Sequence, residues 1–115
     1  MSRQKEKGTK FETALVRHAR ERGLDVDRSP PRGNMDKGDL TGFGKIVVEA
    51  KNHAKTKLGP WMKEAEAERE NAGAHIAVIA HKRHGVGDPG EQWVTMTWSS
   101  FLAMAYAMGE VEAVK

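Results

Sequence analysis

The apolar and polar positions near the start of the chain predict one amphipathic helix followed by one short strand. In "TKFETALVRHARERG", residues 9–23, apolar side chains recur every four positions, as on one face of a helix. Thr9 is a suitable N-cap, and Gly23 is a suitable residue just beyond the end. "LDVDRS", residues 24–29, then has the length and alternation of a strand. The stripe of the helix consists of Phe11, Leu15 and Ala19.

The middle of the chain predicts a hairpin, a second helix and a buried strand. "DLTGFGKIVVEAKN", residues 39–52, is typical of a hairpin with its turn at 42–44. "GPWMKEAEAERENAG", residues 59–73, predicts a helix with Pro60 in its first turn. "HIAVIAHK", residues 75–82, is apolar at five successive positions, which indicates a central parallel strand covered on both faces.

The remaining segments complete an alternating order of elements. A glycine-rich loop, residues 84–91, leads to a strand at 92–98 and to a last helix from about 100 to 108, capped by Ser99. The order α, β, β, β, α, β, β, α predicts an α/β fold with a mixed central sheet flanked by helices. With 115 residues, of which 38% are hydrophobic, we expect one domain over residues 1–115, with a flexible basic tail at 1–8.

Composition and charge narrow the classes of function. The absence of cysteine excludes disulfides and thiolate metal sites, so a metal would need oxygen or imidazole ligands. No stretch approaches the roughly 18 apolar residues of a membrane helix, and the N-terminus lacks an apolar signal segment, so we expect a cytoplasmic protein without a membrane partner. Residues 1–57 hold 14 Lys and Arg against 8 Asp and Glu, a net +6, whereas residues 58–115 hold 5 against 8, a net −3. The basic half favours a polyanionic partner such as nucleic acid.

The predicted strand "IVVEAK" ends in two charged residues that share a face. Because side chains alternate along a strand, Glu49 and Lys51 lie on the same face as Val47. With a three-residue turn, residues whose numbers sum to 86 face each other, so Asp39 lies diagonal to Glu49 and the two carboxylates converge. Such a hard oxygen site suits Mg²⁺ or Mn²⁺ bound together with a phosphate, and Lys51 would stabilise the charge that develops during hydrolysis.

Two other interpretations of this strand stay open. A two-residue turn would shift the register by one and place Asp39 and Glu49 on opposite faces. Alternatively, Glu49 and Lys51 are exposed residues at the end of an edge strand, and Asp39 is a turn residue.

The spacing of these residues resembles the PD-(D/E)xK nuclease superfamily. Asp39 is followed after nine residues by the tripeptide Glu-Ala-Lys that ends at Lys51, behind a helix that carries Glu12. Over residues 8–82 the chain is most similar to archaeal-type Holliday junction resolvases. In this resemblance, "GTKFETALVRHARERGLDV" corresponds to the opening helix and strand of that family. The loop before the acid corresponds to "RSPPRGNMDKGDL", and the acid-x-lysine strand to "VVEAKNH". The resemblance implies a restriction-endonuclease-like αβββαβ core. It also implies a Mg²⁺-dependent endonuclease, with Mn²⁺ as a substitute, that hydrolyses phosphodiesters of branched or double-stranded DNA.

Carried over position by position, the resemblance assigns roles to individual residues. The metal ligands would be Asp39, Glu49 and the Ala50 carbonyl, the catalytic lysine would be Lys51, and Glu12 would complete the acidic cluster, directly or through water. Glu12 also has the spacing of a capping box with Thr9, which is the alternative role for this residue. Gly38 stands where the name-giving motif has proline.

The expected DNA contacts come from basic residues. The resemblance implies that Arg28 and Arg32 meet phosphates. The other basic residues expected to contact DNA lie in the N-terminal segment, in the loop before Asp39 and after two strands: Arg3, Lys5, Lys7, Lys10, Lys37, Lys55, Lys57, Lys82 and Arg83. The acids of the second helix are spread around it, so we expect them to form solvated surface; they are Glu64, Glu66, Glu68 and Glu70.

The last helix adds the expectation of a homodimer. "FLAMAYAM", residues 101–108, has no charge over two turns, and a four-way junction is resolved by two matched cuts. The alternative is that this helix packs beneath the sheet of a monomer. For function, the alternatives are a restriction-like nicking or flap nuclease of the same fold, and a catalytically idle DNA-binding module.

Overall fold

The computed structural model describes residues 2–30 and 38–114. In chain order the elements of this part are α1 (Arg3–Glu21), β1 (Asp27–Arg28), β2 (Leu40–Thr41), β3 (Ile46–Lys51), α2 (Leu58–Ala72), β4 (Ile76–His81), a 3-10 turn (Pro89–Glu91), β5 (Trp93–Thr95) and α3 (Trp98–Ala107). The predicted order of helices and strands is confirmed, as is the α/β class.

The strands form one mixed sheet in the order β1-β2-β3-β4-β5. β3 and β4 run parallel, and the other neighbouring strands are antiparallel. α2 is the crossover between the two parallel strands, as predicted. Because β3 lies inside the sheet, the interpretation of Glu49 and Lys51 as residues of an edge strand is wrong.

Helices cover both faces of the sheet. On one face, Val48 packs with Val16 of α1 and with part of α3. On the other, Val47 packs with Trp61 of α2. Every residue of β4 is buried, which fits a strand between two layers. The alternation along β3 therefore directs Glu49 toward α2.

α1 is longer at its N-terminus than the apolar periodicity predicts. It begins at Arg3 and is capped by the Ser2 hydroxyl. The segment predicted as a flexible tail, residues 1–8, is therefore helical from Arg3 onwards, because unbranched charged side chains favour a helix and one glycine does not end it. Thr9 lies inside the helix, so a capping box with Glu12 is also excluded.

The pairing of β2 with β3 is shifted by two residues from the predicted register. Leu40 lies opposite Val48, so paired residue numbers sum to 88 and not to 86. A one-residue shift would have moved side chains to the other face, but a two-residue shift keeps the faces. Asp39 therefore remains on the face of Glu49, as predicted.

The two-residue shift in register arises because Gly42 makes a close backbone contact and does not form the turn. This glycine has a φ of +99°, and a Cβ on it would lie 2.5 Å from the carbonyl oxygen of Asp25. Gly42 thus serves a close approach to the segment before β1 and not the turn itself. The turn lies further on, where the N–H of Ile46 donates to the carbonyl of Phe43 (3.2 Å).

α3 packs on the sheet with only a small part of its surface. It begins at Trp98 and is capped by Thr97, two residues before the predicted start at about 100 and the predicted cap Ser99. Ser100 is its buried residue, and Met104 packs against the core below. Despite this apolar surface, no helix in the described part of the chain is long and apolar enough to cross a membrane.

Candidate functional site

An open cleft of about 850 Å³ lies at the C-terminal end of β3. Its walls come from α1, β1, residues 38–39, the end of β3 and α2. β1 and β2 are only two residues long, so they leave the end of the six-residue β3 accessible from their side. All of the residues that the nuclease resemblance assigns to the site line this cleft, namely Glu12, Asp39, Glu49, Ala50 and Lys51.

Asp39 is fixed beside β3 by hydrogen bonds to its backbone. The Asp39 N–H donates to Val48 O (2.9 Å), and Asp39 Oδ2 accepts from the Ala50 N–H (2.8 Å). The N–H and C=O of one strand residue point to the same side, so the Ala50 carbonyl faces Asp39 as well. Gly38 has a φ of +104°, and a Cβ there would lie 3.1 Å from Val48 O. Proline, with φ fixed at about −65°, could not adopt this conformation.

Glu49 is the buried centre of the site. The residue is only 2% exposed, and no hydrogen-bond donor in residues 2–30 and 38–114 reaches its Oε1. Burial, a hydrogen bond with Glu68 and the charge of Asp39 raise the pKa of Glu49 to about 12. Without a cation, this carboxyl group therefore holds a proton at neutral pH.

Two glutamates of α2 join the site. The prediction that the acids of this helix are solvated surface is wrong for Glu68, which is buried, whereas Glu64 is exposed and lines the cleft. Glu49, Glu64 and Glu68 each place a carboxylate oxygen within 4.8 Å of the others, and Glu68 is buried. The signal was present in the sequence. Trp61 and Ala65 mark the helix face that packs on the sheet, and position 68 continues that face.

Lys51 is held at the edge of the cleft by an acid that the sequence analysis missed. Its side chain is 17% exposed, and Nζ donates to Glu64 Oε1 at 2.7 Å. Burial lowers the pKa of Lys51, but the hydrogen bond and charge of Glu64, with the charges of Glu49 and Asp39, outweigh burial and raise it. Lys51 is therefore a fixed positive charge at neutral pH.

Glu12 lines the cleft from the side of α1. Its Oε1 accepts from Arg28 Nε at 3.0 Å. Burial raises the pKa of Glu12, the Arg28 hydrogen bond opposes this, and the nearby charge of Asp39 adds to the increase. The charge of Asp39 thus acts on Glu12 across the cleft, but the direct partner of Glu12 is Arg28, whose guanidinium is still partly exposed at the wall.

The predicted DNA-binding residues that the structure describes are exposed or half-exposed, and Lys5 and Arg28 line the cleft. His53 lies in the cleft wall, and its pKa is lowered by burial and by the charges of Lys51, Lys7 and Lys57. Positive charge therefore surrounds this wall. The predicted DNA-binding residues of α1 and of the loop after β3 are all exposed or half-exposed; they are Arg3, Lys5, Lys7, Lys10, Lys55 and Lys57. Arg32 and Lys37 lie outside the described residues.

Lys82 and Arg83 are engaged in the loop after β4. Lys82 Nζ donates to the carbonyls of Arg83 and Val86. Arg83 donates to the Glu91 carbonyl (2.9 Å), and its guanidinium lies 4.5 Å from the ring centre of Trp93. These contacts give both residues a structural role that the sequence analysis did not assign.

The donor set of the cleft fits a divalent cation. Its possible ligands are carboxylates and a backbone carbonyl, the hard oxygen donors that Mg²⁺ and Mn²⁺ prefer. The buried Glu49 Oε1 also needs either a proton or a cation, since its neighbours in the described chain are themselves acceptors.

Comparisons with known proteins identify no relative. No protein-family model, no curated protein and no solved structure matches the chain. Its function must therefore be inferred from its own residues and their geometry.

Proposed function

We propose that the protein is a metal-dependent, structure-selective DNA endonuclease of the PD-(D/E)xK superfamily that acts as a Holliday junction resolvase. The observation that carries this proposal is the convergence of Asp39, Glu49 and Lys51 in one open cleft at the end of β3. These residues correspond to the two acids and the lysine of the superfamily motif. The order of elements from α1 to β4 agrees with the αβββαβ core expected of it.

Each group of the site has its own task in phosphodiester hydrolysis. Asp39, Glu49 and the Ala50 carbonyl would hold Mg²⁺, with Mn²⁺ as a substitute. The bound ion supplies Lewis-acid activation of the scissile phosphate. Lys51 places an ammonium at the same cleft, where it stabilises negative charge that develops on the phosphate oxygens. Without a bound ion, Glu64 restricts the position of that ammonium.

DNA would approach along the basic rim of the cleft. Lys5 and Arg28 line the cleft itself, and Lys57 is exposed in the loop that follows β3. Such side chains neutralise phosphates and release counterions, which gives binding that weakens as salt increases. They bind the backbone without reading base sequence, in keeping with recognition of DNA shape.

A cleavage panel tests this proposal. Labelled four-way junction, flap, nicked duplex and intact duplex are incubated with Mg²⁺ and with wild-type chain, Asp39→Asn or Lys51→Ala. Both variants should lose cleavage of the junction and keep junction affinity within about threefold, because the acids and Lys51 act on the transition state while other residues bind DNA. Asp25→Asn, at an exposed aspartate outside the cleft, is the matched control and should cleave normally. Undiminished cleavage by Asp39→Asn would refute the site.

The same panel separates the alternative functions. Cleavage that favours flap or nicked duplex over the junction would favour a restriction-like nuclease of the same fold. DNA binding without cleavage in either Mg²⁺ or Mn²⁺ would favour an idle DNA-binding module.

A homodimer joined through α3 completes the proposal. Five large side chains of this helix region are 41–70% exposed, and none is charged: Trp98, Phe101, Leu102, Tyr106 and Met108. They present on the order of 600–700 Å² if a fully exposed large side chain presents about 200–250 Å². Monomers rarely expose an apolar patch of this size, and a stable interface buries about 800 Å² per partner. A second copy is the fitting occupant, because a two-fold contact covers the same patch on both chains and supplies two active sites.

Light scattering at micromolar concentration tests the dimer. The wild-type chain should have twice the 12.7 kDa mass of one chain. Phe101→Glu should give the single-chain mass, because it places a charge in the centre of the patch. Leu24→Glu, at an exposed leucine outside α3, should leave the dimer intact. A single-chain mass of wild type, both alone and on a four-way junction, would refute the interface.

A further inference from the structure

The acids of the cleft lie on two sides of Glu49. Glu49 is within hydrogen-bonding reach of Asp39, which precedes β2, and of Glu68 on α2. Glu64, one turn nearer the cleft, adds a third carboxylate on the side of α2. This second group of acids has no role in the assignments that the nuclease resemblance makes.

We propose that Glu49, Glu64 and Glu68 bind a second divalent cation, Mg²⁺ or Mn²⁺, beside the one held by Asp39 and Glu49. Glu49 would be shared between the two positions. The inference deepens the proposed function and rests on it for the first ion, but the second site can be tested without DNA.

The separation of the three carboxylate oxygens suits a single ion. They lie within 4.8 Å of one another. Two oxygens on opposite sides of Mg²⁺ are about 4.2 Å apart, twice the Mg–O distance of about 2.1 Å. At most one pair of the three oxygens can be opposite, and oxygens at adjacent positions are about 3.0 Å apart, so the group has to contract by up to about 1.8 Å. The exposed side chain of Glu64 can supply this movement by rotating away from Lys51 toward the other two acids.

The buried oxygen of Glu49 is an independent reason to expect a ligand here. Glu49 Oε1 is shielded from solvent, and no donor in the described part of the chain reaches it. Lys51 does not satisfy it, because the ammonium donates to Glu64. A cation among the three acids would satisfy this oxygen, since carboxylates are preferred ligands of both ions. Glu64 would then exchange Lys51 for the ion and release the ammonium toward the cleft.

Counting bound Mn²⁺ tests the second site directly. The full chain is titrated with Mn²⁺ near pH 8, and the electron paramagnetic resonance signal of free Mn²⁺ is followed. Wild type should bind two ions per chain. Glu64→Gln and Glu68→Gln should each retain one, with the affinity for the other ion at least about tenfold weaker. Glu70→Gln, at an exposed acid of the same helix, should still bind two.

The possible results separate this inference from the proposed function. The second site would be overturned, and the first left intact, if both Glu64→Gln and Glu68→Gln still bound two ions. The same conclusion would follow if wild type bound one ion and only Asp39→Asn lost it. One ion that Asp39→Asn retains and both glutamine variants lose would support the α2 site and overturn the Asp39 position. No bound ion in wild type would overturn both. Circular dichroism verifies folding, and if Glu68→Gln does not fold, Glu64→Gln decides.

Discussion

Replacing Glu49 with glutamine would remove a buried proton-binding group and keep the shape of the side chain. In the metal-free chain, burial and the neighbouring Glu68 and Asp39 raise the pKa of Glu49 from 4.5 to about 12. At a pH between these two pKa values, Glu49 holds a proton in the folded chain and has lost it in the unfolded chain. The stability contributed by protonated Glu49 is therefore complete below pH 4.5, the unfolded pKa, and decreases as pH rises toward the folded pKa.

The size of the effect follows from the number of protons involved. One proton bound only by the folded state lowers the free energy of unfolding by up to about 1.4 kcal/mol for each unit of pH increase. From about pH 6 to about pH 8, wild type should lose up to about 2.7 kcal/mol more than Glu49→Gln. For a domain of this length, the difference corresponds to roughly 10 °C in Tm.

Urea unfolding in EDTA at several pH values between these limits measures the effect. Wild type and the control Glu70→Gln should lose stability more steeply with pH than Glu49→Gln. Near pH 8, Mn²⁺ at about a hundredfold excess over its Kd should restore about 2.7 kcal/mol to wild type and little to Glu49→Gln. Parallel pH dependence in wild type and Glu49→Gln would refute the inference that Glu49 holds a proton in the folded chain at these pH values.

Two further predictions concern the β2–β3 connection and the basic residues. Gly42→Ala should lower the free energy of unfolding by about 2 kcal/mol or more, because its Cβ would lie 2.5 Å from Asp25 O. Gly44→Ala is the control and should lower the free energy of unfolding by about 1 kcal/mol, because its Cβ would meet no atom within 4 Å. Equal losses in the two variants would contradict this explanation. Lys57→Ala should weaken junction binding and reduce its salt dependence by about one charge, as measured by fluorescence anisotropy at several salt concentrations. In the same assay Lys82→Ala should leave the affinity nearly unchanged, but it should lower Tm because it removes the hydrogen bonds of Lys82 in the loop after β4.

The types of the elements were predictable because they depend on local patterns. The alternation of Val47 and Val48 between the two faces of β3, and the unbroken apolar run of β4, each follow from which layers cover the strand. The same alternation placed Glu49 and Lys51 on one face. The first turns of α1 were missed because the predicted start relied on apolar spacing, and the helix continues past it through polar residues that favour helix on their own.

The register was not predictable from local pattern, and the spacing of the α2 acids alone does not identify the acids that lie near the sheet. Two glycines flank the predicted turn, and only the packing of Gly42 against the segment before β1 decides which residues form it. Glu64 and Glu68 have the spacing of one helix face, but so do Glu66 and Glu70, and charge alone does not distinguish a face that packs from one that is solvated.

Glu49 and Glu68 both occupy positions where packing alone would favour an apolar side chain. Glu49 continues the Val47 side of a central strand, and Glu68 continues the Trp61 side of the helix that covers it. One buried acid could be a tolerated local exception, but these two meet at the same strand–helix contact, where Glu68 makes ionisation of Glu49 less favourable. A fold that depended on packing only would be more stable with either one replaced, whereas the proposed shared cation would make both acids favourable together. Sequences depart from local rules in this way at functional sites, and this departure lies at the cleft that also holds Asp39 and Lys51.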